Sequence, residues 1–175
     1  MNGLGKMERN EVEVRRAAGE DASVTSSVLL ASFIEYEELY TSQALAATTP
    51  RSEQIQMRME EGPVWVALHE GEIVGTVGAV ARSSGLYIRG MGVLPRARGH
   101  RIGELLLKEI EDYARDEGHN RLYLSTTPFL DRAIRLYEQF GFRRIEEGPH
   151  DLFGTPLLTM EKWLRPPGQQ KGNLP

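Results

Sequence analysis

The stretch Val93 to Gly103, VLPRARGHRIG, sets Arg96, Arg98 and Arg101 among Gly99 and Gly103, between an apolar run and an amphipathic one. A loop of this kind running into a helix suits an anion. The first amides of a helix lack intrahelical partners, and its N-terminus carries a partial charge of about +0.5. Glycines let the main chain approach a ligand closely. Guanidinium groups meet phosphate oxygens in a bidentate fork. The competing reading is a solvated basic turn. Two other phosphate loops are excluded. Gly99 does not begin G-x-x-x-x-G-K-[ST], and Pro95 stands where the third glycine of G-x-G-x-x-G, begun at Gly90, should be.

A second clue lies just upstream. Gly90 and Gly92 fall inside the strand-like Arg89-Gly90-Met91-Gly92-Val93. Glycine within a strand marks a bulge or a close backbone approach. Free amides there, beside a phosphate cradle, suit an extended amide-bearing ligand, as in strand addition. Coenzyme A joins peptide-like amides to a pyrophosphate.

The periodicity around these residues predicts the elements that hold them. Val12–Arg15 alternates as a strand, and 21–40 reads as a helix with Val24, Val28, Ala31 and Ile34 on one side. Pro50 opens a second helix carrying Ile55, Met57 and Met59. Val64–Leu68 and Ile73–Val80 flank a hairpin turn, and Leu86–Val93 follows as a strand. Ile102, Leu106, Ile110 and Ala114 mark an amphipathic helix ending near Gly118. Arg121–Thr126 is a strand. Thr127-Pro128 then reads as a helix start, with Phe129, Ala133, Leu136, Tyr137 and Phe140 on one face and Gly141 as its stop. Phe142–Glu146 and Leu157–Trp163 complete the set. The order predicts one mixed α/β domain over 12–165, with parallel pairing around 86–126. Residues 1–11 read as a flexible N-terminus and 166–175 as a disordered tail.

Composition narrows the chemistry. The 175 residues include no cysteine, which excludes a thiol nucleophile, disulfides and Cys-ligated zinc. His69, His100 and His119 show no metal spacing. No apolar run approaches the ~20 residues of a membrane span, no signal-peptide core opens the chain, and a cytoplasmic location is expected. The net charge is −4, which argues against nucleic-acid binding through Arg96, Arg98 and Arg101.

Val93-x-Pro95-x-x-Arg98-Gly99-His100-Arg101-Ile102-Gly103-x-Leu105-Leu106 resembles the acyl-CoA signature of the GNAT superfamily of N-acetyltransferases. Leu122-x-Leu124-x-Thr126-Thr127-Pro128, with Ala133-Ile134-x-Leu136-Tyr137-Glu138-x-x-Gly141-Phe142, is similar to its second signature. The resemblance implies a mixed, mostly antiparallel sheet with helices on both faces and a parallel centre. It also implies acetyl transfer from acetyl-CoA to a primary amine by direct attack in a ternary complex, without a metal. The implied cofactor residues are Met91, Val93, Arg98, Gly99, His100, Arg101, Ile102 and Gly103. Arg101 departs from the family pattern, which has a small residue there. Homodimers are common in the family, and nothing in this sequence decides that point.

Three tasks follow from the implied reaction. A backbone N–H at Met91–Val93 can polarise the thioester carbonyl. Tyr137 is implied for the leaving thiolate, against the alternative of a core aromatic. Leu86–Val93 holds no carboxylate, and Arg89 is its only charge, so the base lies elsewhere or bulk water serves through a relay. Glu35 and Glu38 are candidates to attract a cationic amine, against an ordinary solvated helix face. His150-Asp151 reads as surface loop. The rival function is a non-catalytic acyl-CoA-binding regulatory module.

Overall fold

The computed structural model describes residues 11–164. The expectations for both chain ends therefore lie outside the described residues. The elements are β1 (Val12–Arg16), α1 (Ala22–Phe33), α2 (Ser42–Thr48), α3 (Ser52–Glu61), β2 (Val64–His69), β3 (Glu72–Arg82), β4 (Gly85–Val93), α4 (Ile102–Asp116), β5 (Arg121–Thr126), α5 (Asp131–Gln139), β6 (Arg143–Ile145), β7 (Asp151–Leu152), β8 (Thr155–Pro156) and β9 (Leu158–Trp163). Seven strands form one sheet in the order β1-β2-β3-β4-β5-β9-β6. All its pairs are antiparallel except β4–β5. The small β7–β8 hairpin stands apart. The expected mixed sheet with a parallel centre is thus what the chain forms.

Helices α1 and α3 cover one face of the sheet, and α4 with α5 the other. Val74, Val77, Leu86, Ile102, Leu106, Leu107, Ile110, Leu122 and Met160 are almost fully buried between them. Burial of this kind stabilises by roughly 1.5–3 kcal/mol per large aliphatic side chain. On the β5–β9 side the charged pair Arg121 and Glu161 is also buried. Arg121 Nε donates to Glu161 Oε2 at 2.8 Å, and Arg143 to Glu161 Oε1 at 2.7 Å. Burial pushes the Glu161 carboxyl up, but these hydrogen bonds outweigh it and hold the group below its ordinary range.

Four expectations change. The helix over 21–40 is α-helical only to Phe33 and then tightens into 3-10 turns through Leu39. Its buried seam is Ala22, Thr25, Val28, Leu29 and Ser32, while Val24 and Ile34 face outward. Ser32 and Leu29 of this seam face β4 at very close range. An added Cβ on Gly92 would stand 2.9 Å from Ser32 Oγ, and that hydroxyl is satisfied by Val28 O at 2.6 Å. The segment between α1 and β2 holds two helices, because Thr41 caps α2 through its side chain. Helix α5 begins at Asp131 rather than at Pro128. Thr127–Leu130 is a turn, and Phe129 packs edge-on against Tyr40 at 4.9 Å. Finally, β7–β8 forms where a plain loop was expected. Thr41 Oγ1 donates to Phe153 O at 2.8 Å, tying the hairpin to α2.

The Gly92 contact is testable. Gly92→Ala is expected to lower stability by roughly 1–3 kcal/mol in urea denaturation. A loss under about 0.5 kcal/mol would show that α1 and β4 can part without cost.

Candidate active site

The pairing of β4 sets the geometry. Against β5 it pairs only at Leu86, Tyr87 and Ile88. Against β3 the register shifts between Thr76 and Gly78, where Gly90 takes φ +61. This is a bulge, and it bends the strand. From Arg89 onward the edge of β4 that faced β5 therefore has no strand partner.

Helix α4 starts beside this open edge. Its first i→i−4 bond runs from Leu105 N to Arg101 O at 3.1 Å, so the amides of Ile102, Gly103 and Glu104 precede the ladder. Arg101 is its N-cap at φ 59, ψ 21, in the left-handed region. A left-handed residue followed by helical ones is a backbone pattern that forms anion-binding concavities. The same dihedral explains why a small residue suits this position, since a Cβ is disfavoured there. The Arg101 side chain turns outward, 80% exposed, and pairs with Glu104 at 2.6 Å. Gly103 lets α4 close on α5: a Cβ there would meet Leu136 Cδ2 at 2.6 Å.

A cleft of about 360 Å³ lies between the open edge, this loop and α5. Met91, Val93, Arg98, Gly99, Arg101, Ile102, Gly103 and Tyr137 all line it, as expected for a single site. His100 does not; its ring lies 4.6 Å from that of His69. Arg96 is also outside the cleft lining and pairs with Glu72 at 2.8 Å. Glu35 pairs with Arg98. Neither Glu35 nor Glu38 lines this cleft or the cavity on the other side of the strand separation. Sequence reading missed Ser32, Phe33, Tyr36 and Arg132, which complete the cleft wall.

A second cavity of about 350 Å³ lies on the other side of the strand separation. Phe33, Met91, Leu130, Ala133 and Tyr137 line both cavities, so the two meet at Met91 and Tyr137. Its further wall includes Arg58, Arg82, Arg89, Tyr40 and Ser125, none of them expected to act at a site. Arg58 had one legible signal. It lies three residues beyond buried Ile55, on the same helix face. Tyr137 is 7% exposed. Burial, with Tyr40 and Tyr87 nearby, drives its phenol far above the ordinary range. Its one hydrogen-bond contact is Met91 Sδ at 3.6 Å. Among the described residues no cluster of three His, Asp or Glu side chains is placed to hold a metal ion.

The sequence profile of the Acetyltransferase (GNAT) family matches residues 30–142. The chain belongs to that family. It is 39% identical over 87 residues to the uncharacterized N-acetyltransferase YjgM of Escherichia coli (strain K12), covering 47% of this chain and 52% of that protein. It is 40% identical over 103 residues to an IAA acetyltransferase of Azospirillum brasilense, covering 57% and 66%. The chain thus spans about half to two thirds of the length of these relatives. Among solved structures, the PaiA N-acetyltransferase of Thermoplasma acidophilum in complex with coenzyme A superposes with TM-score 0.75 at 16% identity, over 87% of this chain and 99% of that one. YncA of Salmonella typhimurium, solved with acetyl-CoA, gives 0.68 at 20%, over 89% and 95%. At such identities the likeness is one of fold.

The two arginines of the loop should separate in function. Arg98→Ala is expected to weaken acetyl-CoA binding by about tenfold, the scale of one charge-assisted hydrogen bond. Arg96→Ala should change it by less than about twofold, as befits an exposed ion pair. Equal effects in calorimetry would mean that the loop acts only as a diffuse positive charge.

Proposed function

We propose that the protein transfers an acetyl group from acetyl-CoA to a primary amine of a small molecule or peptide, by direct attack in a ternary complex. The meeting of two cavities at Met91 and Tyr137 carries this reading. The residues present fit acetyl-CoA. The unpartnered edge at Arg89–Val93 can pair with the amides of its pantetheine arm. The amides at Ile102–Glu104, with Arg98, can hold the diphosphate. The same reading includes a cytoplasmic location, supported by a cysteine-free sequence and by the lack of any helix among the described residues long and apolar enough to cross a membrane.

In the transfer, the amine lone pair forms a C–N bond while the C–S bond breaks toward sulfur. Nitrogen loses one proton and the thiolate gains one. A main-chain N–H at Met91–Val93 would donate to the carbonyl oxygen as charge develops there. Tyr137 would donate a hydrogen bond to the departing sulfur. Full transfer from a phenol at pKa ~10 to a thiolate at ~8.5 is already uphill by roughly 2 kcal/mol. Burial of Tyr137 makes it more so. The hydroxyl therefore stabilises the thiolate while keeping its own proton; solvent supplies the proton that the thiolate gains and takes the one that nitrogen loses. No carboxylate on β4 is available as a base. Freeing an α-amine of pKa ~8 costs about 1 kcal/mol at neutral pH, against about 5 for a lysine at ~10.4. A low-pKa amine is favoured.

That missing carboxylate favours one second reading, a non-catalytic acyl-CoA-binding regulatory module. Titration with acetyl-CoA in a calorimeter, followed by thiol release across an amine panel, separates the two. No binding at millimolar ligand rejects both. Tyr137→Phe is expected to lower kcat by roughly 10- to 100-fold, the scale of one hydrogen bond to a charged group. Acetyl-CoA affinity and Tm should hardly move, because the lost hydroxyl has only a thioether partner. An unchanged kcat would return Tyr137 to the role of a packing residue.

A further inference from the structure

The acceptor-side cavity gathers positive charge that the protein itself does not fully match. Arg58, Arg82 and Arg89 line it, and among the described residues no Asp or Glu side chain does. One carboxylate approaches from the edge, where Glu61 pairs with Arg89. Arg82 lies over the Tyr87 ring at 4.1 Å. Arg58 differs from both. Its guanidinium donates to a main-chain carbonyl, Ala47 O, at 3.3 Å. Burial, with Arg89 nearby, pulls it below the ordinary arginine range. A partly desolvated cation in a cleft is unfavourable unless an anion completes it. Ser125 Oγ, in the same wall, is buried without a hydrogen-bond partner.

Position narrows the ligand. Arg58 Nη1 stands 3.2 Å from where a Cβ on Gly90 would be. Gly90 is followed directly by Met91, where the two cavities meet. Consecutive Cα atoms are ~3.8 Å apart, so anion site and reaction point are separated by a short span. A volume of about 350 Å³ accommodates a molecule of amino-acid size.

Resting on the acetyl-transfer reading above, we infer that the acceptor is a small amino acid: Arg58, with Arg82 and Arg89, binds its carboxylate, and its amine faces the Met91–Tyr137 junction a short spacer away. The same charges address the missing base. Nearby cations disfavour an ammonium. With Arg58 matched by the carboxylate and Arg89 by Glu61, Arg82 is left to favour the neutral, nucleophilic amine.

Matched substrates test this: an α-amino acid, its carboxamide and its decarboxylated amine, drawn from a panel of common side chains. Thiol release reads turnover, and calorimetry reads acetyl-CoA binding separately. The acid is expected to exceed its carboxamide in kcat/KM by roughly 10- to 100-fold. Arg58→Met should collapse that ratio toward one, with acetyl-CoA affinity kept within about twofold. Arg82→Met serves as a second variant should the first fail to fold, and it should narrow the ratio. A long-spaced ω-amino acid should be used poorly. Equal or better use of the carboxamide, or a ratio that survives both substitutions, overturns the inference and leaves acetyl transfer standing. So does acetylation of other amines with no acid in the panel used. Acetyl-CoA binding with no amine turned over overturns it in favour of the regulatory module. Failure to bind acetyl-CoA removes the underlying reading instead.

Discussion

Strands β4 and β5 share hydrogen bonds only along Leu86–Ile88 and Leu122–Leu124. The main chain beyond that point must find its partners elsewhere. Closing the gap with another strand would bury it, and filling it with side chains would leave amides unpaired. Here it stays open on both sides, with a cavity on each. The bulge at Gly90 makes this possible by consuming one extra residue of β4 without disturbing its pairing to β3 at either end. A regular strand would continue alongside β5 and erase the junction at Met91. The site is therefore a consequence of incomplete pairing, sustained by a backbone conformation that glycine supplies at low cost.

Three close approaches keep the gap in shape. Gly92 admits α1, Gly75 admits Ile102 of α4, and Gly103 admits Leu136 of α5. In each case a Cβ would come within 3 Å of a side-chain atom. The elements around the cleft are thus set by contact rather than by long flexible side chains, as preorganisation demands.

The α4-loop side of the cleft was legible because its requirements are local. A turn into a helix, glycines and Arg98 occupy one continuous stretch, and the periodicity of α4 is that of an element with one buried face. Tyr137 was readable only through resemblance, since its place beside Met91 depends on tertiary packing of α5 against β4. The acceptor half was not legible for a similar reason. Arg58, Arg82 and Arg89 come from three elements, and nothing in their spacing brings them together. Glu35 was read from its charge alone, as a group to attract a cationic amine; the fold sets it against Arg98. The 3-10 turn over 34–39 that places it there follows from no residue pattern in that stretch.

Charge matching distinguishes the two halves. On the side of the α4 loop Arg98 and Arg101 each already hold a carboxylate, so a diphosphate bound as proposed would compete with Glu35 for Arg98. That competition lowers affinity, but it keeps a cation oriented at the cleft before the ligand arrives. A main-chain cradle needs no such partner, because amide dipoles are fixed by the helix and cost nothing to reorient. On the acceptor side the position is reversed. Arg58 is held by one carbonyl, its charge is partly desolvated, and no protein carboxylate among those described lines the cavity with it. An acidic chain that could have supplied a counter-ion leaves this cation for a ligand to satisfy. Affinity on that side would then come from relieving an existing electrostatic cost, which gives discrimination between a charged acid and its neutral amide.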